Sequence, residues 1–235
     1  VDAMFGSNAD FAGLVADAHS RKIRVVIDAG FNHVSDQCSQ FQDVLKNGKK
    51  SKYFDWFIIH GDTVDQKEVN YECFSICNYM PKWNTSNPEV QDFLISIAVH
   101  WIRQYHIDGW RLDVSDEVSH HFWRRFRQAV KAANPDCAII GENWHNANAY
   151  LQGDQYDSIM NYAFTKACLD FFAFDALDSQ GFAEKLSELL MRNTDTVNNM
   201  MMNLLDSHDT HRFFTQVGEN KTKLENVKEL KSSIQ

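Results

Sequence analysis

Four acidic residues stand where an apolar run of this chain stops. Asp28 follows Ile23–Ile27, Asp113 follows Ile107 to Leu112, Glu142 follows Cys137–Gly141, and Asp209 comes shortly after Met200–Leu205. Short apolar runs of this kind read as buried strands, so each carboxylate sits near a strand end. The stretch Gly109-Trp110-Arg111-Leu112-Asp113 carries the most chemistry. Residues two apart on a strand share a face, so Arg111 and Asp113 project together. A cation at that distance keeps a carboxyl ionised, which is what a nucleophile or an electrostatic stabiliser requires. Taken alone, the pair serves equally well as a structural ion pair. Glu142, between Gly141 and Asn143-Trp144, suits the raised pKa of a general acid. One ionised carboxylate and one protonated acid flanking a bond are the requirements of glycoside hydrolysis.

The elements that must position these groups follow from periodicity. Asn8 reads as a helix cap, with Phe11, Leu14, Val15 and Ala18 on one apolar face. Asn87-Pro88 opens a second helix whose stripe includes Val90, Leu94, Ala98 and Ile102. A third, with Val118, Phe122, Phe126 and Val130 inward, stops near Asn134-Pro135. Strands are expected at 23–27, 107–113, 137–140, 158–160 and 200–205, and helices also at 163–175 and 180–191. Strands alternating with helices imply parallel pairing through right-handed crossovers. Carboxylates gathered just after the strands suit a parallel barrel, whose active sites lie at that end of the sheet. No glycine-rich phosphate loop follows a strand, which disfavours a doubly wound open sheet. The predicted fold is α/β, a (β/α)8 TIM barrel. Residues 34–89 are irregular, aromatic and polar, too long for an ordinary connection, and read as an inserted subdomain.

Composition excludes several functions. The chain has 235 residues, 44% hydrophobic and 13% aromatic, enough for a sizeable core. Its net charge of −9 comes without a basic stripe, so a nucleic-acid partner is not expected. No run of 18 apolar residues is present, so no membrane span is expected. Cys38, Cys73, Cys77, Cys137 and Cys168 form an odd set, which suits reduced thiols in a cytoplasmic setting. No signal peptide is evident. The sequence opens Val-Asp-Ala-Met, so the natural start is expected upstream.

Four segments in order resemble the motifs of the α-amylase family, glycoside hydrolase family 13. They are Asp28-Ala-Gly-Phe-Asn32-His33, Gly109-Trp-Arg111-Leu-Asp113, Gly141-Glu142-Asn-Trp144-His145 and Asn203-Leu-Leu-Asp-Ser-His208-Asp209. The resemblance implies that Asp113 is the nucleophile, Glu142 the general acid/base, and Asp209 the stabiliser of the distorted sugar and its transition state. It implies that Arg111 orients Asp113 and that His33 and His208 hydrogen-bond the sugar at the scissile bond. Asp28 and Asn32 would brace the site, and Trp144 and His145 would lie along the substrate. Retention of the α-configuration is the implied outcome.

Met80-Pro81-Lys82-Trp83-Asn84 and Val114-Ser-Asp-Glu117 are similar to segments of the cyclomaltodextrinase, neopullulanase and maltogenic amylase group. In that group the counterpart of Glu117 lies beside the aglycone subsites. On this plan residues 1–33 and 90–235 are part of the barrel, about strands three to seven, and 34–89 are the family's domain B. The chain would then be a fragment of a longer enzyme, without the domain through which the family often forms homodimers. Expected substrates are α-glucan oligosaccharides or cyclodextrins. No cofactor is required, and a structural calcium near Asn32 is the one metal the resemblance offers. Departures from the pattern include Gly30, Asn143 and Asp206, the last expected to add negative charge near Asp209. The polar tail from Lys221 to Gln235 matches the family poorly. Two other readings stand beside an α-glucan hydrolase: a glucan-binding protein without turnover, and a fragment that needs a complementing chain to fold.

Overall fold

A computed structural model describes residues 1–218, and the tail from Lys221 lies outside them. The chain divides into two compact units, Val1–Glu142 with Gly153–Tyr156, and Asn143–Gln152 with Asp157 onward.

The first unit is built on three parallel strands, β1 (Val26–Ala29), β4 (Gly109–Leu112) and β5 (Ala138–Gly141). Between β1 and β4 come helix α2 (Ser39–Asn47), the hairpin β2 (Cys73–Phe74) and β3 (Cys77–Pro81), and helix α3 (Pro88–Tyr105). Helix α1 (Asn8–Ser20) precedes the sheet and α4 (His120–Ala133) joins β4 to β5. The register sets Asp28 opposite Arg111 and Leu112 opposite Gly141. All four residues of β4 are buried, as expected of a strand inside a parallel sheet. The α4 side chains Phe122, Trp123, Phe126 and Val130 are fully buried. Their spacing makes the single apolar face that this helix packs inward.

The caps follow from side chains that satisfy the free N–H groups of a first helical turn. Asn87 accepts from the Glu89 N–H and Pro88 takes the first helical position. At α1 the cap is Ser7 rather than the expected Asn8. Ser7 and Asp10 bond each other's backbone N–H reciprocally, which places Asn8 inside the helix. Of the expected apolar face of α1, Val15 is buried but Leu14 is 58% exposed. The expected strand at 23–27 begins only at Val26, because the Ile23 N–H bonds Ala18 O and belongs to the turn that ends α1.

Residues 34–89 pack their own aromatic cluster, in which Phe41 meets Phe57 and Tyr71, and Phe57 stacks on Trp83. Tyr71 OH donates to the Asn78 carbonyl and closes the hairpin.

The second unit contains the short strand β6 (Ser158–Ile159) and helices α5 (Tyr162–Phe172), α6 (Ser179–Met191), α7 (Asp195–Met200) and α8 (Phe213–Gly218). Cys168, Ala173, Phe213 and Val217 form its buried cluster. The expected strand at 200–205 is absent. Thr194 caps α7, whose helix runs to Met200, and only Met202 is left to make a single parallel bridge to Met160. The apolar run Met200–Leu205 is therefore a helix end followed by an extended segment.

Candidate active site

The first unit gathers seven of the anticipated residues: Asp28, Asn32, His33, Arg111, Asp113, Glu117 and Glu142. Arg111 is the hub. Its Nη1 donates to Asp113 Oδ1 at 2.6 Å and to both oxygens of Asp28 at 3.0 and 3.2 Å, while Nη2 lies 3.0 Å from Glu142 Oε2. A planar guanidinium with several fixed donors can serve three carboxylates at once, and a lysine cannot. The strand register supplies the arrangement. Asp28 pairs with Arg111 across β1 and β4, and the Asp113 and Glu142 N–H groups extend the ladder to Ala29 O and Leu112 O.

Burial raises Asp113 above the ordinary aspartate range, and the Arg111 guanidinium opposes that rise without cancelling it. The arginine favours the charged form as expected, while burial, with the nearby Glu142 charge, makes the net direction upward. Burial also lowers His33 below its ordinary value, so the ring is neutral at pH 7. Its Nδ1 faces the Asn32 amide at 3.4 Å, and its Nε2 lies 3.7 Å from Asp113 Oδ2. Phe74, on β2, stacks on the His33 ring at 4.8 Å.

Glu142 is held on two sides. Its Oε2 accepts from the Val114 N–H at 2.9 Å, and its backbone oxygen accepts from Ser115 Oγ at 2.7 Å. The Ser115 carbonyl in turn accepts from Trp123 Nε1 at 2.8 Å and Tyr156 OH at 3.0 Å. Val114 lies in the left-handed region at φ +47° and ψ +43°, a costly conformation for a β-branched residue. That turn aims the Val114 N–H at Glu142.

Glu117 sits on the short 3₁₀ turn after β4 and is bound by two partners. Lys82 Nζ and Asn32 Nδ2 each lie 3.1 Å from its Oε2. Asn32 is fully buried, and its amide is committed to donating. Among the described residues no group of three or more His, Cys, Asp or Glu side chains is placed to hold a metal ion.

The remaining anticipated residues lie in the second unit. His208 Nε2 is 3.2 Å from Asp209 Oδ2, and both side chains are largely exposed. The Asp209 N–H donates to Ser207 Oγ, which also meets Tyr162 OH at 3.1 Å. Asp206, expected to add negative charge near Asp209, is held by two partners. It accepts from Arg212 Nη1 at 2.8 Å and from the Phe213 N–H at 2.9 Å, which holds it ionised below the ordinary range at the start of α8. Trp144 stacks in parallel on Tyr162 at 3.8 Å. The His145 N–H donates to Asn143 Oδ1.

Several participants escape a reading of the sequence. Lys82 lies in a quoted motif, and its partner Glu117 is 35 residues away. Val114 and Ser115 carry no residue-type signal for their roles. Trp83 and Trp110 are buried packing residues.

Carboxylates gathered at the carboxyl ends of parallel strands lie where the active sites of (β/α)8 barrels are built. The family description "Alpha amylase, catalytic domain" matches residues 1–235, and the chain belongs to the α-amylase family. It is 48% identical over 217 residues to a cyclomaltodextrinase of Thermoanaerobacter pseudethanolicus, covering 92% of this chain and 38% of the relative. It is 46% identical to an intracellular maltogenic amylase of Bacillus subtilis, covering 92% and 36%. A solved cyclomaltodextrinase structure superposes with a TM-score of 0.91 at 47% identity, over 95% of this chain and 39% of that one. The chain thus spans under two-fifths of the length of these relatives, and the fold is part of a (β/α)8 catalytic barrel. Among the described residues no helix is long and apolar enough to cross a membrane.

Proposed function

We propose that this chain carries the reacting carboxylates of a retaining α-glucan hydrolase acting on α-1,4 bonds of cyclodextrins, pullulan or maltooligosaccharides. The observation that supports it is the single Arg111 guanidinium shared by Asp113 and Glu142, one carboxylate on each terminal nitrogen. One guanidinium thus keeps the two carboxylates beside each other, by a hydrogen bond to Asp113 and an ion pair to Glu142, as a pair that must act on the same bond requires. In this reading Glu142 gives its proton to the glycosidic oxygen as Asp113 attacks the anomeric carbon, so that an ester to Asp113 forms as the C–O bond breaks. Glu142, now a carboxylate, takes a proton from water, which cleaves the ester and restores the α-configuration. A sugar hydroxyl in place of water would give transglycosylation. Arg111 keeps Asp113 available as an anion against its burial, and the neutral His33 offers its Nε2 hydrogen to the sugar.

For Asp209, His208, Trp144 and His145 the roles in this proposal rest on the likeness of their motifs to the family's alone. Glu117, steadied by Lys82, borders the aglycone. Residues 34–89 act as the wall of the cleft. The test is sugar release from β-cyclodextrin and pullulan by the 235-residue chain, with Glu142→Gln as the matched control. Release that disappears in the variant supports the reading, and equal, negligible release from both overturns it for this chain.

A further inference from the structure

The second unit holds a cavity of about 250 Å³ that contains none of the reacting carboxylates. Its polar lining has an unusual composition. Six asparagines face it: Asn146, Asn148, Asn161, Asn193, Asn198 and Asn203. No Asp or Glu is among its lining residues, and its one Arg, Arg192, is paired with Glu188 on α6. The floor is apolar, from Leu151, Ile159, Phe164, Leu186 and Leu189.

Several carboxamides are locked in place. Asn161 Oδ1 caps α5 by accepting from the Phe164 N–H, and its Nδ2 donates to Asn203 Oδ1 at 2.9 Å. Asn148 Nδ2 donates to the Arg192 carbonyl at 3.0 Å, and Asn198 Nδ2 to the Leu190 carbonyl at 2.7 Å. These bonds fix the amide planes. They leave the Nδ2 of Asn203 and the oxygen of Asn198 outside them. Between them, the Asn203 donors, the Asn198 oxygen and the Asn193 carboxamide set donors beside acceptors, a match for vicinal hydroxyl groups. A charged ligand would find no free countercharge here, whereas an apolar floor suits the C–H face of a ring. Pockets of this character, mostly apolar with a few placed polar groups, are how small ligands are held.

We infer that this asparagine-lined cavity is a binding site for a neutral sugar ring, of the size of one glucosyl unit with its neighbour at the mouth. The inference rests on the α-glucan reading only for the choice of maltose as probe. His145, a substrate contact in that reading, also lines the cavity, but binding here needs no turnover, so loss of binding and loss of activity are read separately.

The experiment titrates maltose into the full chain carrying Glu142→Gln, following backbone amide shifts of Ala163 and Asn193 by NMR. Ala163 lines the cavity from α5 and is not involved in the side-chain bonds above. Ala163→Leu fills the space, and Asn193→Leu removes one carboxamide at nearly constant shape. Saturable shifts are expected, weakened at least tenfold by Ala163→Leu. Asn193→Leu should weaken them about three- to tenfold, the worth of one or two hydrogen bonds. Thermal unfolding of each variant reports whether the fold survives, and Asn193→Leu carries the test alone if Ala163→Leu does not fold. Shifts that do not saturate, or affinity unchanged in a folded variant, would overturn the assignment.

Discussion

Gly141→Ala is the sharpest perturbation of the first unit, because it adds one methyl group immediately before Glu142. A β-carbon at that position would lie 2.6 and 2.7 Å from two ring carbons of Tyr156 and 2.9 Å from Ser115 Oγ. Carbon atoms rest at about 3.5–4.0 Å, so the Tyr156 ring must retreat by roughly 1 Å. It has little room to do so, since Tyr156 is fully buried, packs edge-on to Trp123 at 5.7 Å, and is tied by its hydroxyl to the Ser115 carbonyl. Overpacking of this kind costs about 1–3 kcal/mol, which for a domain of this size lowers Tm by about 2–4 °C per kcal/mol. The displaced groups also position Glu142, whose backbone oxygen is held by Ser115 Oγ and whose carboxylate is held by the next N–H upstream. A shift near 1 Å in an acid/base group can cost about 100-fold in rate. The assay pairs calorimetry with initial rates on β-cyclodextrin for Gly141→Ala, Tyr156→Leu and the double variant. The double variant should be less destabilised than the two single changes predict, by about 0.5–3 kcal/mol. Native Tm and native rate in Gly141→Ala would refute the reasoning.

Further expectations follow from the same geometry. Burial raises Asp113, so the protonated form is favoured in the fold. That contribution is complete below the unfolded aspartate value near 3.8 and is lost as pH rises through the higher folded value. Asp113→Asn should therefore raise Tm at pH 7, with the gain shrinking as pH falls through the folded value and gone below the unfolded one, and the acid limb of kcat/KM in the wild type should lie above the unfolded value; a pH series of melts and rates checks both. Arg111→Lys keeps the charge but cannot span three carboxylates, and should lower kcat about 100-fold or more with a smaller change in KM, read from saturation kinetics. Lys82→Met leaves Glu117 partly exposed, so chemical denaturation should shift by less than about 1 kcal/mol. Gly30 has only the His33 carbonyl within reach of an added β-carbon, at 3.7 Å, so Gly30→Ala should stabilise by about 0.4–1 kcal/mol in the same assay.

The strand-end carboxylates are legible because a short apolar run that stops at an acid marks where a buried strand meets water. The Arg111–Asp113 pair is legible because its spacing equals the strand period. What joins that pair to Asp28 and Glu142 is the register of β1, β4 and β5, which no local pattern encodes. The left-handed turn at Val114 is equally silent, since glycine or asparagine is the usual marker and a β-branched residue stands there instead. Met200–Leu205 misleads for a simpler reason. A short, mostly apolar run suits a strand or a helix end alike; the helix capped at Thr194 takes Met200, and the extended remainder makes a single bridge, at Met202. Asp206 was legible as a charge but not as the partner of Arg212 and the Phe213 N–H, a role fixed by a turn that only the folded chain displays.

The central claim, that Asp113 is the nucleophile and Glu142 the acid/base, is tested most directly by trapping the ester. Fluoride departs without needing an acid, so Glu142→Gln incubated with α-maltosyl fluoride should form the ester and lose it slowly for lack of a base. Mass spectrometry of the digested protein is expected to find one maltosyl group on the peptide containing Asp113, and none in the Asp113→Asn, Glu142→Gln double variant. A label on any other carboxylate, or the same label in the double variant, would contradict the account.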